Sequence, residues 1–389
     1  MLAPLTNSPR DYAWGSTTLI AALEGRAPSG APEAEVWFGD HPGSPAVVGD
    51  GRGLTLDAWL AAHGAQTGAP ERLPFLLKLL AAGSPLSIQV HPSRAEAIAG
   101  AAREDAAGVP ADAAHRNYKD DNHKPEVIVA VSDRFEALAG LRDPAATGRL
   151  LAALGDGPAI DALRARLRAS DADAALRDTI AWLLSGAAHD TVIAVTAALA
   201  EAESPEFADE LTAARGIAAA YPGDPGVVVA LLMNHVSLAR GEAVFVPAGV
   251  LHAYLSGLGV ELMAASDNVL RGGLTPKHID VDELMSIVDA HPDAPPRLAP
   301  REVAEGVEVF APGIPDFELW RATAAPGVVR RVPLHGPAIA LAVSGDVTVT
   351  GARGDRVALV PGRAAFATPD ERELVVSGDG EVFIALPGR

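Results

Sequence analysis

The chain has 389 residues, 49% of them hydrophobic, which is enough for two or three cores at roughly 100–200 residues per domain. Its 31 Lys and Arg against 50 Asp and Glu leave a net charge of −19, a field that repels nucleic acid and anionic membranes. Cysteine is absent, so disulfide scaffolds, thiolate zinc sites and cysteine nucleophiles are excluded together, and any metal rests on His, Asp, Glu or an amide.

No basic-then-apolar leader and no run of about 18 apolar residues is present, which leads to the expectation of a cytoplasmic protein without a membrane anchor. Up to about residue 140, short extended runs such as AEVWFGDHPGSPAVVG, LSIQVHPS and KPEVIVAV alternate with Pro and Gly and read as strands. In LSIQVHPS, Leu86 to Ser93, residues two apart share a strand face, so Gln89 and His91 project together while Ile88 and Val90 pack behind them. An amide oxygen and an imidazole nitrogen both suit a first-row divalent ion. A buried amide satisfied by backbone, beside a turn histidine before Pro92, reads the same way.

The acidic stretch from Glu104 to Asp121 reads as a solvated lid or loop. It leads into DDNHKPEVIVAV, Asp120 to Val131, where Pro125 biases Lys124 toward extended geometry and puts Glu126 on the same side. An isolated KPE is usually a surface ion pair. Here Asn122, His123, Lys124 and Glu126 crowd the start of a core strand.

From Asp143 to Asn234 apolar residues fall three and four apart, the pattern of a helical subdomain. Gly155, Gly186 and the YPGDPG turn at 221–226 are stop signals, and Ser170-Asp171 and Ser204-Pro205 are start signals. From Gly241 the extended pattern returns. GEAVFVPAGVLHAYLS, Gly241 to Ser256, has the spacing G-x5-P-x-G-x2-H and resembles the second motif of the cupin β-barrel, in which this histidine, here His252, points into the barrel mouth as a metal ligand. Two imidazoles, a carboxylate and an amide oxygen leave a divalent ion a charge of about +1 and room for water or substrate oxygens.

In GVELMAASDNVLRGGLTPKHIDVDEL, Gly259 to Leu284, two glycines after Arg271 permit close approach, and Lys277 follows six residues on. Fixed cations beside a metal suit an anionic substrate, because guanidinium and ammonium groups match phosphate oxygens. The same residues would also neutralise a helix end. Beyond about residue 290, turn signals spaced for a sandwich or barrel continue. GDRVALVPGRAAFATPDE, from Gly354, echoes the cupin motif without its histidine, as a structural barrel without metal would.

Together LSIQVHPS, NHKPE, VPAGVLHAYLSG and ELMAASDNVLRGGLTPKH resemble the signature segments of type I mannose-6-phosphate isomerases. YAWGS (Tyr12 to Ser16), AEVWFGDHP (Ala34 to Pro42) and LPFLLKLL (Leu73 to Leu80) fit that family as well, so the likeness runs from about residue 8 to 290. It implies a mainly β fold with an α-helical insert. Residues 1–142 and 235–290 would form a cupin-like (jelly-roll) catalytic barrel, 143–234 the helical subdomain, and 291–389 a second barrel without metal.

The resemblance further implies one zinc ion bound by Gln89, His91, Glu126 and His252, and a catalytic Arg271. Lys124 and His123 are the candidates for the base, with Ser87, Glu261, Asp267 and Lys277 at the substrate. The implied reaction interconverts mannose 6-phosphate and fructose 6-phosphate through an enediol, in a monomer or weak homo-oligomer. Departures from the family pattern, Leu262 after the glutamate and Asp40 before His41, touch no proposed ligand. Two readings compete: an iron-dependent cupin oxygenase, which needs a dry apolar pocket, and a non-catalytic sugar-phosphate-binding cupin, which loss of a ligand or of Arg271 would favour. His63, His115, His189, His235, His291 and His335 lie outside the motifs and read as surface or satisfied core residues, and Trp14 and Trp37 as core or pocket wall.

Overall fold

His252–Ala264, a strand of 13 residues, is the spine of the first sheet. The structure, a computed structural model describing residues 1–389, pairs the C-terminal half of this strand with Phe75–Ala82 on one side and Glu126–Ala130 on the other. The N-terminal half pairs with Arg134–Leu141 and with Gln89–Val90, and all of these pairings are antiparallel. Phe75–Ala82 is buried along its whole length, which explains why it reads as a continuous apolar run, FLLKLLAA, broken by Lys78. Glu35–Phe38, Met233–Ala239, Ala243–Val246 and Leu270–Arg271 complete the nine strands.

A second, ten-stranded sheet is built mainly from the C-terminal region, around the long strands Ala338–Gly351 and Glu373–Leu386. The architecture is therefore mainly β and antiparallel, as expected, but the strand pairings close neither sheet into a ring. The expectation that residues 1–142 serve the catalytic barrel meets an exception. Leu2–Thr6 pairs with Ala364–Ala367 and with Val47–Val48, so the first strand extends the second sheet and buries Leu2 and Leu5 there. A core of 33 residues runs between the sheets, joining Val36, Leu77, Val129 and Val260 of the first to Leu5, Leu341, Phe366 and Phe383 of the second.

Six helices, Pro144–Ala153, Pro158–Arg166, Ala172–Leu184, His189–Glu201, Ala208–Ala220 and Gly226–Leu231, follow the expected helical span. Asp143 and Asp171 cap two of them by accepting the amides of Ala146 and Ala174, each cap worth about 1 kcal/mol. The start expected at Ser204-Pro205 moves to Ala208, because Phe207 first turns into the helical core. That core also takes in Ile88, Val90, Leu251 and Leu270, so the helices form the backing of the strands that carry Gln89, His252 and Arg271. No single helix is long and apolar enough to cross a membrane.

Candidate metal centre and substrate cavity

Strand register gathers the site. Gln89 stands opposite His252 on one side and opposite Arg271 on the other, and directly opposed residues of antiparallel strands share a face. The two-residue strand Gln89–Val90 thus aligns an amide, an imidazole and a guanidinium in one row, while Ile88 and Val90 are wholly buried behind it. Glu126 arrives from the neighbouring strand, opposite Met263.

The imidazoles are set for coordination. His91 donates from Nδ1 to the carbonyl oxygen of Asn268 at 2.7 Å, and His252 donates from Nδ1 to that of Val250 at 3.1 Å. Each therefore turns an Nε2 lone pair toward Glu126, the arrangement that second partners impose on metal-binding histidines. The distances are 3.2 Å from His91 Nε2 to Glu126 Oε1 and 3.5 Å from His252 Nε2 to Oε2. Ligands of a tetrahedral zinc, about 2.0–2.1 Å from the ion, lie about 3.3 Å from one another. The buried His91 Nε2 has no hydrogen-bond partner, and the ligand atoms of His91, Glu126 and His252 all fall within 4.8 Å of one another. Gln89 donates its amide nitrogen to Ser87 Oγ at 3.3 Å, which leaves its oxygen for the same centre. These residues fit zinc.

Charge supports the fit. The inner cavity, about 60 Å³, is lined by Glu35, Glu126 and Glu261 against Lys78 and Lys124, together with Gln89, His252 and Tyr254. Fully ionised, this set carries one excess negative charge. Burial pushes the Glu126 carboxyl up, but the Lys124 ammonium, 3.0 Å away, prevails and holds it well below the usual carboxylate range. Burial and then the Lys124 charge take His91 down to about 4, so it stays neutral. Burial works against the Lys78 ammonium, yet Glu261 and Glu35 outweigh it and raise its pKa. Lys78 sits 2.9 Å from Glu261 and 3.2 Å from Glu35, whose other oxygen accepts the Trp37 indole N–H at 2.9 Å. Burial lifts Glu261 to about 7 against the pull of Lys78, with Glu126 and Glu35 adding to the lift.

An outer cavity of about 490 Å³ shares Gln89, Leu86 and Glu35 with the inner one, and Ser87, Arg271, Lys277, Tyr12, Trp14 and Tyr221 line it further. Arg271 and Lys277 have no carboxylate partner, and burial depresses the pKa of both, with the Arg271 charge adding to the effect on Lys277. A half-buried Arg271 and a more exposed Lys277 thus stand on one wall. Trp14 is pocket wall and Trp37 is buried at 8% exposure, in line with expectation.

Two of the sequence candidates lie off these cavities. His123 turns its Nε2 to Asp316 of the C-terminal sheet region at 2.8 Å, where Arg94 also donates at 3.0 Å, and Asp267 meets His41 Nε2 at 3.1 Å. The stretch from Glu104 to Asp121, expected as a solvated lid or loop, is pinned. Glu104 accepts the amides of Asn117 and Tyr118, Asn268 Oδ1 accepts those of Lys119 and Asp120, and Tyr118 is buried. Sequence reasoning missed Lys78, Glu35, Tyr254 and Asn268. A lone lysine in an apolar strand was the available signal for Lys78. Tyr254, two residues after His252, follows from the same-face rule.

Comparison with known proteins extends these findings. A family model for the catalytic domain of type I phosphomannose isomerase matches residues 2–144. The chain is 37% identical over 397 residues to a mannose-6-phosphate isomerase of Salmonella typhimurium and 37% identical over 388 residues to one of Escherichia coli, covering 97% of each pair of chains. It also superposes on the crystal structure of the Salmonella typhimurium mannose 6-phosphate isomerase bound to fructose 6-phosphate and zinc. The TM-score is 0.89, at 35% identity and covering 100% of both chains.

Proposed function

The chain belongs to the type I phosphomannose isomerase family, and from that premise we infer that it interconverts mannose 6-phosphate and fructose 6-phosphate at the His91–Glu126–His252 centre. The observation that carries this reading is the pairing of that buried group, through Gln89, with two unpartnered cations in adjoining cavities that share Glu35, Leu86 and Gln89. Gln89, His91, Glu126 and His252 would hold zinc, which when bound supplies a Lewis acid that polarises the sugar oxygens. Arg271 lies across the strand pair from Gln89 and offers a fixed positive charge to the enediolate that forms as the C2 proton leaves.

We assign the transfer of that proton between C2 and C1 to Lys124, whose amine reaches the inner cavity. His123 is the weaker candidate, because Asp316 engages its Nε2 outside the cavity lining. Lys277 and Ser87 line the outer cavity, where the phosphate would sit, and Glu261 lines the inner one toward the sugar hydroxyls. Asp267, paired with His41, would act at the rim. A phosphorylated sugar substrate and a cysteine-free chain support a cytoplasmic setting. The test is to strip the protein with a chelator and assay mannose 6-phosphate conversion before and after zinc is restored. Turnover that disappears and returns is expected. Zinc-loaded protein that binds the sugar phosphate without converting it would overturn the reading.

A further inference from the structure

The helical subdomain reaches the substrate cavity through a single turn, YPGDPG, Tyr221 to Gly226. Within it the Asp224 carboxylate accepts three backbone N–H groups. Oδ1 takes those of Gly226 at 2.7 Å and Leu274 at 3.0 Å, and Oδ2 takes that of Thr275 at 3.1 Å. Two of the three belong to the loop that carries Arg271 and Lys277. Beneath the carboxylate the two backbones meet with no side chain between them. A Cβ on Gly273 would lie 2.5 Å from Gly226 Cα, and one on Gly226 would lie 2.6 Å from the Leu274 nitrogen.

Leu274 itself sits at φ +56, a left-handed conformation unfavourable for a branched residue. The bond from its N–H to Asp224 and the burial of its side chain hold it there. On the neighbouring strand segment, the Tyr221 hydroxyl donates to the carbonyl oxygen of Pro85 at 2.7 Å, four residues before Gln89. One turn therefore ties down both adjoining segments, the one that leads to Gln89 and the one that follows Arg271. Since neither Arg271 nor Lys277 has an ion-pair partner of its own, their placement depends on how the backbone beneath them is held.

We propose that Asp224 is a positioning residue, which fixes the Arg271–Lys277 loop so that both cations face the phosphorylated substrate, and that the helical subdomain thereby sets substrate affinity and turnover. The proposal rests on the isomerase reading. Its test uses the full-length, zinc-loaded protein and its Asp224→Ala, Asp224→Asn and Tyr221→Phe variants. The readouts are kcat and KM for mannose 6-phosphate, competitive inhibition by inorganic phosphate, and zinc affinity by chelator competition.

In Asp224→Ala, kcat/KM is expected to fall about 100-fold, the scale of an ångström-sized misplacement, with KM raised and phosphate inhibition weakened. Zinc affinity stays within about twofold of wild type. Asp224→Asn, which keeps one acceptor oxygen, falls between the two, and Tyr221→Phe raises KM several-fold with its ring in place. Should the alanine variant fold poorly, the latter two carry the test. Unchanged kcat and KM, or an activity loss that merely tracks zinc loss, would overturn the proposal. A wild type that never turns over would instead defeat the isomerase reading, and the phosphate affinities of the variants would still decide the positioning claim.

Discussion

Replacing Tyr254 by phenylalanine isolates one hydrogen bond of the metal centre. The phenol donates to Glu126 Oε2 at 3.1 Å, and the ring packs edge-on against Phe135 at a centroid distance of 5.6 Å, so the substitution removes an oxygen and keeps the packing. Burial and then the Glu126 charge push the phenol well above its usual pKa, so it remains a donor throughout the working range. Glu126 Oε1 is held by Lys124 at 3.0 Å, with His91 Nε2 3.2 Å away, whereas Oε2 accepts from this phenol and lies 3.5 Å from His252 Nε2. Without Tyr254 the carboxylate is free to rotate off the axis that His252 needs. A hydrogen bond to a charged acceptor is worth about 1.5–3 kcal/mol, and that much stability should be lost from the zinc-free protein. Loss of a group that orients a ligand costs roughly 10- to 100-fold in metal affinity, or about 1.4–2.7 kcal/mol. Thermal unfolding of the zinc-free protein and competition with a chromophoric chelator measure the two separately. Zinc affinity within twofold of wild type, whatever the stability, would refute the claim that the phenol orients Glu126.

Lys78→Met should retain zinc, because the inner cavity then carries two excess negative charges instead of one, while the zinc-free fold loses about 3–5 kcal/mol as Glu35 and Glu261 give up their shared ammonium. Metal content and urea unfolding check this, and a variant that cannot hold zinc contradicts it. Gly100→Ala tests a close approach, since the new methyl would stand 2.3 Å from the Tyr118 ring. The clash, about 1–3 kcal/mol, exceeds the 0.5–1 kcal/mol or so that alanine ordinarily gains in a helix, so the melting temperature should fall. Glu136 tests pH linkage. Burial raises its pKa, but hydrogen bonds from His235, Arg134 and Ser237 prevail and take it down to about 2. A depressed carboxyl contributes stability above its unfolded value of about 4.3 and loses it as pH falls toward the folded value. The gap in melting temperature between wild type and Glu136→Gln should therefore be full at neutral pH and shrink between about pH 5 and pH 2. A gap that widens on acidification would contradict the assignment.

The His91, Glu126 and His252 group, with Gln89 beside it, was legible in the sequence because its signals are local. Gln89 and His91 are two apart, and the Pro247-x-Gly249 turn precedes His252 by a fixed interval. What lay beyond reach is set by register and by distant segments. Lys78 meets Glu261 because Phe75–Ala82 pairs with the long strand in one register, which no local pattern records. Asp224 looked like part of a helix stop, and its second role comes from a loop 50 residues away. His123 was a candidate base through the family resemblance of NHKPE, and its side-chain partner, Asp316, lies 193 residues further on, in the loop that leads into the strand Glu318–Ala324 of the other sheet.

The C-terminal echo of the cupin motif makes the same point from the opposite side. Phe366 follows Pro361 by the interval at which His252 follows Pro247, and it too leads off from a Pro and Gly turn into a strand. Its neighbours decide what the position does. His252 emerges beside Gln89 and Glu126 in a polar cavity, whereas Phe366 is fully buried, meets Trp59 edge-on at 5.8 Å, and joins the core that binds the two sheets together. A histidine at 366 would desolvate an imidazole among Leu5, Phe317 and Phe383 with no carboxylate to orient it, and burial of an unpaired polar group is unfavourable. One strand-turn-strand device thus serves chemistry in the first sheet and cohesion in the second, and the difference resides in the strands that lie opposite it.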